Sequence, residues 1–175
     1  MIQIKFLTVF LLLLGLTSCA KQTSTSNTGP NARANAEQPR NSVDVVKVQP
    51  HTVEAKRNES VDATVDVTIE NGYHVNANPP TFPYLKPTDL QINAAPGMSV
   101  SFIVYPDALT KSFPFAEKPL AVYEGTFQIK AKLKVDKGAS VGKQTLSGKL
   151  NVQACDDQVC YAPGTLDVNI PMDIK

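Results

Sequence analysis

Apolar and polar side chains alternate along four long stretches of this chain, and a period of two leaves room for little besides β-strands. In VDATVDVTIE, Val61, Ala63, Val65, Val67 and Ile69 share one face, while Asp62, Thr64, Asp66, Thr68 and Glu70 share the other. TFQIKAKLKV repeats the pattern, with Phe127, Ile129, Ala131, Leu133 and Val135 inward and lysines outward. LSGKLNVQA sets Leu146, Leu150, Val152 and Ala154 on one side; LDVNIPMDI does the same with Leu166, Val168, Ile170, Met172 and Ile174. Shorter candidates lie at 43–48, 90–94 and 99–105. No window carries a helical period. About seven or eight strands, each with one apolar face to bury, pack best as two facing sheets. The expected fold is all-β, an immunoglobulin-like antiparallel β-sandwich; a closed barrel is the alternative that the same alternation permits. NANPPTFPYLKP, residues 76–87, is too rich in proline for a central strand and reads as an irregular surface loop.

The first 41 residues stand outside that pattern. Lys5 precedes an apolar run from Phe6 to Leu14, which is too short for a membrane span and reads as a secretory signal over 1–18. Its end, Leu16-Thr17-Ser18-Cys19, resembles the lipobox of bacterial lipoproteins, in which the cysteine is acylated and becomes the first mature residue. That resemblance makes Cys19 a lipid anchor and implies a protein held to a membrane of the cell envelope, facing the periplasm. A plain signal peptide with a chance cysteine is the alternative. Residues 20–41 are rich in Ser, Thr, Asn, Ala and Pro, cannot bury enough surface to order themselves, and read as a flexible tether of about 25 Å average span. Residues 42–175 suit one domain with a real core. The net charge of +1 gives no basic excess for nucleic acid, and no later apolar run is long enough to cross a bilayer.

Two of the three cysteines fall in QACDDQVCYAP. A straight strand would hold Cys155 and Cys160 about 16 Å apart. A disulfide between them needs α-carbons within roughly 7 Å, so a bond requires the chain to reverse. Asp156-Asp157-Gln158-Val159 has the residues for a turn. Ala154 belongs to the buried face of its strand, so Cys155 points the other way, toward solvent or a covering loop. A structural bridge, a zinc site and a working dithiol are all compatible with a cysteine pair. Zinc is the weakest, because only His51 and His74 remain as further ligands, neither at finger-like spacing, so no metal or other cofactor is expected. A bridge over so short a loop constrains the unfolded chain little, whereas small accessible loops are where labile disulfides occur. The flanking aspartates disfavour a strongly acidic thiol. Staple and dithiol both stay open on the residues alone.

CDDQVCYAP resembles the cysteine element of the N-terminal (alpha) domain of the thiol:disulfide interchange protein DsbD. GYHVNANPP (72–80), YLKPTDL (84–90), Tyr105-Pro106 and VYEG (122–125) resemble other patches of that domain, in the same order. The resemblance covers residues 43–174. It implies an immunoglobulin-like domain whose Cys155 and Cys160 cycle between dithiol and disulfide, passing electrons to periplasmic thiol proteins. It further implies a cap loop with an aromatic lid over the sulfurs, here KSFPFAEKP with Phe113 or Phe115; ordinary core packing is the plainer role for either ring. Tyr161 would pack beside the sulfurs, and Cys160 is read as the resolving sulfur. Ala162 stands where the family often has proline.

No stretch of these 175 residues is expected to serve as a membrane-spanning electron donor. The partners implied are therefore a membrane donor of the DsbD transmembrane type and periplasmic thioredoxin-fold or cytochrome-assembly thiol proteins. Ala20, after the lipidated position, would permit sorting to the outer membrane, where a tether of about 25 Å makes contact with an inner-membrane donor difficult. The rival expectation is a non-enzymatic lipoprotein binding module with a structural disulfide. His74 reads as a hydrogen-bonded histidine at a strand end, and the Asn58-Glu59-Ser60 sequon carries no information in a bacterial lipoprotein.

Overall fold

The computed structural model describes residues 41–93 and 95–175; the signal segment, Cys19 and the tether up to residue 40 lie outside the described residues. Within them the chain forms β1 (Val46–Pro50), β2 (Val53–Ala55), β3 (Glu59–Ile69), β4 (His74–Asn76), β5 (Asp89–Ile92) and β6 (Met98–Val104). It continues with β7 (Leu109–Lys111), β8 (Leu120–Tyr123), β9 (Thr126–Val135), β10 (Gly142–Val152), β11 (Ala154–Cys155) and β12 (Gly164–Ile174). The long alternating stretches become β3, β9, β10 and β12, as their period requires. Two four-stranded sheets, ordered β1-β3-β9-β6 and β2-β12-β10-β5, bury their apolar faces in one shared core. Ala63, Val65 and Val67 of β3 and Ile129, Ala131 and Leu133 of β9 meet Leu150 of β10 and Val168 and Ile170 of β12 there, all fully buried. The protein is an immunoglobulin-like β-sandwich. Among the described residues the strand pairings are antiparallel except that of β2, which runs parallel along β12.

Gly148 takes the inward position between Leu146 and Leu150 because a β-carbon there would lie 2.5 Å from the Gln91 carbonyl oxygen of β5. The two strands can close only over a residue without a side chain.

The structure departs from the alternation in two places. Residues 42–45 form a 3-10 turn instead of opening a strand. Asn41 Oδ1 accepts from the Val43 amide while Asp44 Oδ2 accepts from the Asn41 amide, a reciprocal cap that satisfies the turn's free donors. Second, the stretch expected to run unbroken through Ala154 ends at Val152, and a third sheet begins. This small sheet is ordered β11-β4-β8-β7, and its Val75, Tyr123 and Ala154 reach into the shared core. Asn76, expected to begin an irregular surface loop, is instead a buried residue of β4.

Candidate functional site

The small sheet has two unlike faces, and the difference follows from parity along its strands. Val75 pairs with Ala154 and Tyr123, and these three join the main core. The alternate residues look outward: His74 opposite Cys155, Asn76 opposite Val122, and Leu120 opposite Lys111. That outer face is covered by a small apolar cluster of Phe113, Leu120 and Val122, flanked by Phe82, Leu85 and Ala116. Cys155 thus points away from the core toward a covering loop, as the parity of its strand predicts, and is fully buried there.

Cys155 and Cys160 are joined as a disulfide with α-carbons 3.9 Å apart. Asp156 to Val159 reverse the chain between them. The Asp156 amide donates to the Val159 carbonyl at 3.0 Å, and the Tyr161 amide donates to the Ala154 carbonyl at 2.8 Å. Asp156 Oδ1 accepts from the amides of Gln158 and Val159 at 2.7 and 2.8 Å, an Asx turn that fixes the reversal. Asp156 Oδ2 accepts from the Tyr161 hydroxyl at 2.5 Å. Burial pushes the Asp156 carboxyl up, but these three donors outweigh it and leave the carboxyl below its usual range. The same bond pushes the Tyr161 hydroxyl up to about 12, with burial adding to it. Tyr161 also lies 6.0 Å, ring to ring, from Tyr73.

The two sulfur positions differ in access. Cys155 is buried, whereas Cys160 is half-buried and lines an open groove of about 520 Å³. Phe82, Tyr84, Phe115 and Val159 form much of its wall. The structure separates the two candidate lid residues. Phe113 is 6 % exposed and stacks on His74 with centroids 4.1 Å apart, so it is packed into the sheet's outer face. Phe115 is 41 % exposed, stacks on Phe113 at 5.3 Å and shares the groove with Cys160.

Three contributors were not legible as site residues. Ser42, fully buried, accepts from the Ala154 amide at 2.8 Å and donates to the Ala162 carbonyl at 2.7 Å, gripping both limbs of the cysteine hairpin. Gln153 donates to the Tyr161 carbonyl and accepts from Asn76 and the Lys86 amide, tying the hairpin to β4 and to the loop beyond it. His74, read as a hydrogen-bonded strand-end residue, is buried, and its Nε2 has no hydrogen-bond partner. Asp156 had a visible signal, since aspartate leads its four-residue reversal; the Ser42 contact spans 112 positions and has none.

These features define a β-sandwich domain that carries a disulfide hairpin beside an aromatic-walled groove. The chain belongs to the family of the N-terminal domain of thiol:disulfide interchange protein DsbD, whose description matches it over residues 42–171. Among solved structures, the reduced N-terminal domain of DsbD from Neisseria meningitidis is 18 % identical, with 63 % of this chain and 77 % of that chain covered at a TM-score of 0.43. The N-terminal periplasmic domain of ScsB from Proteus mirabilis is 15 % identical, with 74 % of this chain covered at a TM-score of 0.51. The chain spans about half of that ScsB domain, 47 % of its length, and shares its fold. No curated protein matches the chain.

Proposed function

We propose that Cys155 and Cys160 act as one dithiol/disulfide pair, relaying electrons from a membrane donor of the DsbD transmembrane type to periplasmic thioredoxin-fold or cytochrome-assembly thiol proteins. Cys19 would hold the domain to its membrane, with Phe113 and Phe115 lapping the bond. The observation that carries this reading is the unequal exposure of the two cysteines within a family named for thiol:disulfide interchange. A donor thiolate can reach Cys160 along the groove, and its attack makes a mixed disulfide there while Cys155 leaves as thiolate. The donor's second thiol then releases Cys160, and the domain has gained two electrons and two protons. In the outward step the Cys160 thiolate attacks an acceptor disulfide, and Cys155 resolves the mixed disulfide by attacking Cys160. Exposure therefore favours Cys155 as the resolving sulfur, the reverse of the order preferred from sequence.

Redox titration tests the reading. A shuttle titrates between roughly −270 and −180 mV, and Cys155→Ser traps a thioredoxin-fold partner through Cys160 far better than Cys160→Ser does through Cys155. The burial of Cys155 and the fully bonded turn favour a second reading, a binding module with a structural bridge. That reading requires a potential below about −300 mV and no trapped partner in either variant. For the anchor, palmitate labelling is expected in the wild type and absent in Cys19→Ser; labelling that persists in the variant rules it out.

A further inference from the structure

We propose that His74 is the proton partner of Cys155: its Nε2 hydrogen-bonds the Cys155 sulfur once the disulfide opens, steadying the leaving thiolate and later taking the thiol proton. This deepens the interchange reading and rests on it. The register sets His74 directly opposite Cys155 on the antiparallel β4–β11 ladder. Directly opposed residues send their side chains to the same face with β-carbons about 5 Å apart. The imidazole is 1 % exposed and stacked at 20° on Phe113, so its plane is fixed against that face. Its Nε2 nevertheless lacks a partner, a costly condition for a buried polar atom.

The oxidation state of the neighbour accounts for the orphan. A disulfide sulfur has no proton to give and is a poor acceptor. A thiol donates and a thiolate accepts strongly, so either tautomer of His74 gains a partner on reduction. When a donor dithiol attacks Cys160, the sulfur–sulfur bond breaks and its electron pair leaves on Cys155. An Nε2–H stabilises that thiolate, which is afterwards protonated to the thiol. In the resolving direction, neutral His74 takes the Cys155 proton as that sulfur attacks Cys160. The donor's two thiol protons balance the two that the domain gains.

A cavity of about 240 Å³ beside the ring gives the proton a path to solvent, lined by Glu70, Tyr73, Lys111, Glu124 and Asp157. Burial lowers the proton affinity of the ring; Glu124, Asp157 and Asp156 raise it less, and Lys111 lowers it further, so the free ring is neutral at neutral pH.

The test compares oxidised and dithiothreitol-reduced full chain by nitrogen NMR of the two imidazoles, with His51 as internal control, and measures reduction rates of His74→Phe and His74→Gln. Expected are an Nε2 resonance of His74 that moves on reduction while His51 stays, and a His74→Phe variant reduced about tenfold more slowly at neutral pH, with a flattened pH profile. The oxidised His74→Phe protein keeps its Tm, because no hydrogen bond is removed, and His74→Gln, which retains a donor, recovers part of the rate. A bond that is readily reduced while the His74 resonance stays fixed and both variants keep the wild-type rate and profile overturns the role of His74 alone. A bond that no dithiol reduces overturns the interchange reading and this inference together. Should His74→Phe fail to fold, the wild-type NMR comparison and His74→Gln decide.

Discussion

The Tyr161 hydroxyl donates to Asp156 Oδ2 at 2.5 Å, so the residue after the second cysteine is tied to the residue after the first. The other oxygen of that carboxylate holds two amides of the intervening turn. One side chain thus closes the reversal from both directions, independently of the sulfurs it brings together.

Tyr161→Phe removes that tie and is expected to cost the oxidised protein about 1 kcal/mol, the pair being only part-buried. The hydroxyl's pKa is raised in the fold, to about 12, so its contribution is complete below about pH 10 and is lost as pH rises through 12. Burial also pushes the Tyr105 and Tyr123 hydroxyls up, so ultraviolet titration should find several tyrosines ionising late, and the step near 12 should vanish in the variant.

Asp156→Ala frees two turn amides and the tyrosine hydroxyl at once, and should lower stability by about 1–2 kcal/mol near neutral pH. The carboxyl's pKa is depressed in the fold, so its contribution is present above the unfolded value near 4 and fades as pH falls through the folded one. Urea midpoints of wild type and variant should therefore converge in acid. A gap that stays constant to low pH would assign the loss to packing.

Phe113→Ala and Phe115→Ala should part company. Truncating the buried ring at 113 should cost about 3 kcal/mol, whereas the exposed ring at 115 should cost about 1 kcal/mol or less. Reduction by a small thiol should quicken in Phe115→Ala, because that ring walls the groove in front of Cys160. Thermal unfolding and stopped-flow reduction read the two effects separately; equal reduction rates in wild type and both variants would remove the lid.

Ser42→Ala orphans the Ala154 amide and the side-chain bond to the Ala162 carbonyl, with an expected loss of about 1–3 kcal/mol. Hydrogen exchange should show the Ala154 amide opening sooner, with the amides of β3 and β9 unchanged.

The sandwich was legible because strands of ten or eleven residues, such as β3, β9, β10 and β12, have length enough to display a period of two. The small sheet was not. Its strands run two to four residues, too few to alternate visibly, and all three residues of His74–Asn76 are buried, so no polar partner marks a face. The 3-10 turn at 42–45 hid behind valines that suit a strand equally well; the Asn41–Asp44 spacing was its only mark. Cys155 and Cys160 were found from composition and position in the chain. Parity set Cys155 on the face opposite Ala154, beside His74, but its complete burial comes from tertiary packing that no local pattern encodes.

Because Ser42 binds both limbs of the hairpin, the chain enters the domain at the same end that carries the sulfurs. A load drawn through residue 41 falls first on the three hydrogen bonds that Ser42 makes beside the disulfide, before it reaches the long ladders. The start of the folded chain and its disulfide hairpin thus share one corner of the domain.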